Sequence, residues 1–234
     1  MSVPVRAVLL DALGTLVGFA PPWPALRDGL AAAGVDVSLA EAERAVRAEI
    51  AYYRANLHRA RDEETLRALR ADCAAVVGRE LPAAAALGPA RLTEVVMASF
   101  AFRAFPDAEP ELAALREAGV PCVVCSNWDV SLHDVLRDAG LAPYLAGVVT
   151  SAELGVAKPD PAPFRAALAL AGEGIDPAAV LHAGDSIDED VRGAQAAGVR
   201  PVLIDRDGEA AARPDALVGV AVLPTLAGLA ALAA

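Results

Sequence analysis

The chain has 234 residues, 56% hydrophobic and 22% charged, which is enough to bury a sizeable core and too apolar for a disordered chain. Twenty lysines and arginines against 31 aspartates and glutamates leave a net charge of −11. That balance repels phosphate backbones and anionic lipid and excludes a general nucleic-acid or membrane-surface binder.

Residues 1–6 carry no signal-peptide pattern. Residues 5–10 are a short apolar run that reads as a strand ending at Asp11. From about residue 21 the pattern changes. Segments 23–33, 39–56, 63–77 and 90–102 have helical periodicity with no convincing strand among them, and Ser38 followed by Glu41 is a capping box. Four more apolar runs follow: 122–125 into Ser126-Asn127, 148–149 into Thr150-Ser151, 180–183 into Gly184-Asp185, and 199–204 into Asp205. Short, nearly uncharged and rich in Val and Leu, they read as strands buried on both faces of a parallel sheet. Helical stretches 109–118, 132–139, 161–171 and 189–197 each end at a glycine, as many helices do. The rhythm predicts an α/β fold, a doubly wound parallel sheet with an inserted all-helical domain. The expected boundaries are 1–20 and 103–234 for the α/β core and 21–102 for the insert.

Cys122 and Cys125 fall inside a strand and read as inert core thiols rather than a redox pair. Three cysteines make no disulfide framework and point to a reducing, cytoplasmic setting. Residues 216–234 are uncharged, but Gly219, Pro224 and Gly228 interrupt them, so a strand at 217–223 and a short helix capped by Thr225 are predicted rather than a membrane span.

In open parallel sheets, ligands bind beyond the carboxyl ends of the strands. The polar residues expected there are Asp11, Ser126, Asn127, Lys158 and Asp185, with Asp190 on the following helix. Clustered carboxylates repel one another unless a cation sits among them, and oxygen-only donors suit Mg²⁺. A carboxylate beside a divalent cation and a lysine is equipped to attack a phosphate ester. Each residue alone has a plainer role: an Asx-turn for Asp11, a helix cap for Ser126 and Asn127, a solvated lysine, an acidic helix start for Asp185 to Asp190. Their coincidence at one sheet edge favours a site. His133 and His182 have no metal-ligand spacing, and His182 reads as core. Tyr52, Tyr53, Arg54 and His58 are a polar-aromatic group on one helix, for which packing within the insert is the plainer role.

Asp11-Ala12-Leu13-Gly14-Thr15-Leu16 resembles D-x-D-G-T-L, the first motif of the haloacid-dehalogenase (HAD) superfamily of hydrolases. Ser126-Asn127 is similar to the second motif, Lys158 to the third, and Gly184-Asp185-Ser186-Ile187-Asp188-Glu189-Asp190 to the fourth, G-D-S-x-x-x-D. The stretches Ser126-Asn127-Trp128-Asp129 and Lys158-Pro159-Asp160-Pro161 resemble most the subgroup typified by haloacid dehalogenase-like hydrolase domain-containing protein 3. The resemblance implies a Rossmann-like core with a helical cap inserted after the first strand, closing over the site. It also implies a Mg²⁺-dependent phosphatase-type hydrolase acting on a small phosphorylated molecule. On this pattern Asp11 is the nucleophile, forming an aspartyl-phosphate, and also a metal ligand. The Leu13 backbone carbonyl and Asp185 are further ligands, and Asp190 orders the metal's outer shell. Ser126 and Asn127 hold the phosphoryl group, and Lys158 neutralises charge. The departure is Leu13, where phosphatases of the family carry a second Asp for proton transfer. An impaired phosphatase is therefore expected; the alternatives are a catalytically weak or inactive phosphate- or Mg²⁺-binding protein, and a 2-haloacid dehalogenase with Arg44 or Arg47 as candidate halide ligand. No nucleic-acid or membrane partner is expected, and substrate identity and oligomeric state are left open.

Overall fold

A computed structural model describes residues 4–233. Met1 to Val3, half of the segment read for a signal peptide, and Ala234 lie outside the described residues. In chain order the strands are β1 (Ala7–Leu10), β2 (Val17–Phe19), β3 (Phe102–Ala104), β4 (Cys122–Ser126), β5 (Gly147–Thr150), β6 (Val180–Gly184), β7 (Arg200–Ile204) and β8 (Ala221–Leu223). Six of them form a parallel sheet in the order β5-β4-β1-β6-β7-β8, while β2 and β3 make a separate two-stranded sheet. The register pairs Val8 with Cys122 and Leu10 with Ala183. The residues of β1, β4 and β6 are buried throughout, so apolar side chains on both faces replace the alternation of a half-exposed sheet.

The helices of the insert are α1 (Trp23–Ala32), α2 (Leu39–Asn56), α3 (Glu63–Glu80), α4 (Pro82–Ala85) and α5 (Pro89–Ala98). Those around the sheet are α6 (Ala108–Glu117), α7 (Leu132–Asp138), α8 (Ser151–Leu154), α9 (Pro161–Ala171), α10 (Arg192–Ala196) and α11 (Leu229–Ala233). Leu9, Val123, Cys125 and Val180 pack against Phe164, Ala167 and Ala194 in one core. The chain divides into two compact units, Met1–Gly18 with Arg103–Ala234, and Phe19–Phe102.

Three sequence expectations need correction. The helix read to Phe102 stops at Ala98, and Phe102 opens β3; strands of three residues are too short for a period-two pattern to register. The helix read from Glu189 begins as a π-helical turn, Ile187–Val191, before α10. The strand read from Leu217 shrinks to β8, and α11 starts at Leu229 without Thr225 as its cap. The Thr225 hydroxyl instead accepts the Ala227 amide at 3.2 Å, a local turn of the kind Ser and Thr favour.

Cys122 and Cys125 lie in β4, and burial pushes both thiols up to about 12, which leaves them unreactive. Among the described residues no helix is long and apolar enough to cross a membrane.

The helical unit has its own core, with Leu26, Leu30, Val46, Val77 and Val96 buried, and the Ser38–Glu41 capping box starts α2. Within α2 the Glu49 carboxyl is 4% exposed, and burial, opposed by a hydrogen bond from Cys73, pushes it up to about 7. Between its ordinary value of 4.5 and about 7, the unfolded chain has released a proton that the folded chain retains. Stability from this group is therefore full below about 4.5 and declines as pH rises through 7. Replacing Glu49 by Gln is expected to remove that decline and to raise unfolding free energy at pH 8 by up to about 3 kcal/mol. Denaturant unfolding of both proteins between pH 4.5 and 8 checks this, and parallel pH profiles would refute it.

Candidate active site

The chain winds outward from β1 in both directions, to β4 and β5 on one side and to β6, β7 and β8 on the other. The crevice at such a reversal lies beyond the carboxyl ends of the central strands. Asp11 follows β1 directly, its amide donating to Ala183 O at 2.9 Å. Ser126 closes β4, Asp185 follows β6, and Lys158 arrives on the loop after α8. Residues distant in sequence meet here because three neighbouring strands end at one level.

The Lys158 ammonium is buried at 3% exposure, 2.6 Å from Asp11 Oδ1 and 2.5 Å from Asp190 Oδ1. Burial disfavours its charge, but Asp11 and Asp190 outweigh that penalty and hold it ionised. The Asp11 carboxyl is raised, chiefly by burial, with Lys158 and a hydrogen bond from Ser126 acting against the shift. Asp190 is also buried, yet Lys158 and His182 together hold it well below the usual carboxylate range. Partial burial and the neighbouring charges of Asp11 and Asp190 push Asp185 up to about 7.

Carboxylate oxygens of Asp11, Asp185 and Asp190 all lie within 4.8 Å of one another. One lysine cannot neutralise three carboxylates, and the excess favours a divalent cation. The donors are hard oxygens, the set that Mg²⁺ prefers. They are not equally free. Asp190 Oδ1 takes Lys158 and His182 Nε2, the latter at 2.9 Å, and Oδ2 accepts the Ser186 amide at 2.9 Å. Asp11 and Asp185 are thus the carboxylates better placed to reach an ion directly. Gly14, at φ +79°, makes the turn after Asp11, where any Cβ would overlap the Asp185 carboxylate. A side chain at Gly184 would collide with Asp190 in the same way.

Asp11, Ser126, Lys158, Asp185 and Asp190 come together. Leu13 sits in the adjoining turn, half-buried and bridged to Val17, with a hydrocarbon side chain that transfers no proton. Asn127, expected to hold a phosphoryl group, has its side chain bonded within the protein. Its Nδ2 donates to Lys158 O at 2.9 Å and to Glu189 Oε2 at 2.8 Å, while Oδ1 accepts the Lys158 amide at 2.8 Å. In this arrangement it fixes the lysine loop.

Sequence reasoning missed the role of His182. It is buried in β6 as expected, but it donates to Asp190 and stacks edge-on against Phe164 at 4.9 Å. Its Nδ1 and Thr15 Oγ1 are the buried side-chain atoms without a hydrogen bond among the described residues. Other candidates turn to local partners. His133 pairs with Glu153 at 2.9 Å. The Tyr52 hydroxyl accepts from Arg59 at 3.1 Å, and Arg59 in turn pairs with Asp72 at 2.7 Å. Arg47 pairs with Glu43 at 2.7 Å and Arg44 with Glu80 at 3.5 Å, so both candidate halide ligands have carboxylate partners within the helical unit.

Residues 5–198 match the family model described as haloacid dehalogenase-like hydrolase. The chain belongs to the HAD-like hydrolases. Within that family it is 39% identical over 153 residues to phosphoserine phosphatase of Thermus thermophilus, covering 61% of this chain and 60% of that protein. It is 36% identical over 126 residues to haloacid dehalogenase-like hydrolase domain-containing protein 3 of Mus musculus, covering 53% and 49%. These matches span less than two thirds of either relative. Among solved structures, 2-haloacid dehalogenase from Pseudomonas syringae pv. Tomato DC3000 aligns with a TM-score of 0.64 at 27% identity, covering 96% of each chain. This HAD-like hydrolase thus has relatives named for both phosphatase and dehalogenase chemistry.

Proposed function

We propose that the chain is a Mg²⁺-dependent phosphatase-type hydrolase of the cytoplasm, acting on a small phosphorylated molecule through an aspartyl-phosphate on Asp11. The observation that carries the reading is the Asp11 carboxylate at the sheet's reversal point, 2.6 Å from buried Lys158 and grouped with Asp185 and Asp190. Asp11 and Asp185, with the Leu13 carbonyl, would hold Mg²⁺, and Asp190 would order its outer shell. The ion would supply charge neutralisation and orientation of the phosphoryl group.

Asp11 attacks phosphorus, a new P–O bond forms, and the ester P–O bond breaks with its electron pair leaving on the alcohol oxygen. Ser126, hydrogen-bonded to the Asp11 carboxylate, would hold the phosphoryl group with Asn127, and Lys158 offsets charge on Asp11 and the phosphoryl. Asn127 also fixes the lysine loop. Leu13 offers no proton to the leaving oxygen, so the reading favours aryl or acyl phosphates, whose leaving groups depart as anions. Water then cleaves the acyl phosphate and restores the carboxylate.

The test is phosphate release from a panel of aryl, acyl and sugar phosphates. Release is expected only with Mg²⁺, falling to the buffer blank with a chelator and returning on adding the ion back. Equal release with and without metal would refute the proposal. A second reading, 2-haloacid hydrolysis, is favoured by Leu13 and by the dehalogenase relative, because halide leaves without a proton. The Asp185 carboxylate in the fourth motif counts against it. Chloride release from 2-chloropropionate without added metal would select it.

A further inference from the structure

Outside the carboxylate cluster, one guanidinium in the sheet unit is held by several partners at once. Arg206, just past β7, donates from Nε to Gly14 O at 3.0 Å and from Nη2 to Thr15 O at 2.8 Å. Nη2 also meets Asp107 Oδ2 at 2.9 Å, and the guanidinium lies 3.8 Å from the centroid of the Phe105 ring. Asp107 is itself fixed, since the same oxygen accepts the Leu226 amide at 2.6 Å. Partial burial opposes its charge, but Arg206 and Leu226 outweigh that and keep its carboxyl low. Four contacts on one planar group leave the arginine a single orientation.

The two carbonyls that Arg206 holds belong to the turn joining Asp11 to β2. Gly14 in that turn lies so close to Asp185 that a Cβ there would overlap its carboxylate, and its amide already donates to Val17 O at 2.9 Å. Leu13 and Asp11 are therefore placed by a segment pinned from outside by a residue remote in sequence. We propose that Arg206 is a positioning residue, clamping the Gly14–Thr15 backbone so that the Asp11 carboxylate and the Leu13 carbonyl hold their places against Asp185. A lysine, lacking the planar fork, reaches one carbonyl at a time.

The kinetic part of the test rests on the phosphatase reading; the exchange part does not. Arg206→Ala and Arg206→Lys are compared with the wild-type chain well below their melting temperatures. Amide hydrogen exchange of residues 12–17 is expected to quicken at least tenfold in Arg206→Ala while the amides of β4 and β6 keep their rates. Mg²⁺ affinity by calorimetry and kcat on an aryl phosphate are expected to fall, kcat by about 10²-fold as for a misplacement near 1 Å, with KM within twofold. Arg206→Lys is expected to recover part of each loss. Unchanged exchange at residues 12–17 overturns the clamp, as does a lowered melting temperature with kcat and Mg²⁺ affinity intact. If the wild-type chain neither turns over phosphate esters nor binds Mg²⁺, the phosphatase reading falls, and exchange at residues 12–17 still decides the clamp.

Discussion

Asp11→Asn is expected to abolish Mg²⁺-dependent phosphate release, a loss on the order of 10⁴-fold or more, while the chain stays folded. The amide is nearly isosteric with the carboxylate but is no nucleophile toward phosphorus. Folding survives because Lys158 keeps Asp190 as a buried partner at 2.5 Å, so no uncompensated ammonium remains. Asp11 is also one of three carboxylates whose oxygens crowd within 4.8 Å, and its removal relieves repulsion from Asp185 and Asp190. Without Mg²⁺ the variant should therefore melt no lower than the wild type, and the ion should stabilise it less, since the ligand set has lost a charge. Phosphate release and melting temperature with and without Mg²⁺ check both halves. Undiminished release in the variant would remove Asp11 from the chemistry.

Leu13→Asp is expected to raise turnover of alkyl and sugar phosphates by about 10² to 10⁴-fold, the range that a positioned acid/base contributes. The gain should be smaller on aryl phosphates, because a good leaving group needs no proton. Leu13 lies two residues past Asp11 in the turn whose Gly14 carbonyl Arg206 holds, the position at which the first motif D-x-D-G-T-L carries its second Asp. The decisive measurement is kcat across a series of esters graded by leaving-group acidity. Wild type should show a steep dependence and the variant a shallow one. Equal slopes would show that proton transfer is not what the chain lacks.

The sheet was legible because parallel strands buried on both faces leave uninterrupted apolar runs, and each of the five runs read as a strand lies on an observed one. The π-turn at Ile187–Val191 was not legible, since it is set by Ser186, whose hydroxyl accepts the Glu189 amide at 3.1 Å, and by Asp190 folding back on Ser186. Strands β2 and β3 were missed for want of length. At the site, the ends of β1, β4 and β6 made the grouping of Asp11, Ser126 and Asp185 readable from the sequence, and the motif resemblance added Lys158. The partners of those residues were not readable. His182 sits in a strand with no polar face to announce it, Asn127 has its bonds to a loop far along the chain, and Arg206 acts on backbone carbonyls that carry no side-chain signature.

The sheet order has a bearing on endurance. β4, β1 and β6 each have a hydrogen-bonded neighbour on both sides, so the three strands that carry Asp11, Ser126 and Asp185 have no free margin at which to fray. Local opening is therefore expected first at the periphery, at β5 and β8. Asp11, Ser126 and Asp185 are thus sheltered from such wear, whereas Lys158, downstream of β5, and the Leu226 amide that holds Asp107, just past β8, lie nearer the margins and should loosen first.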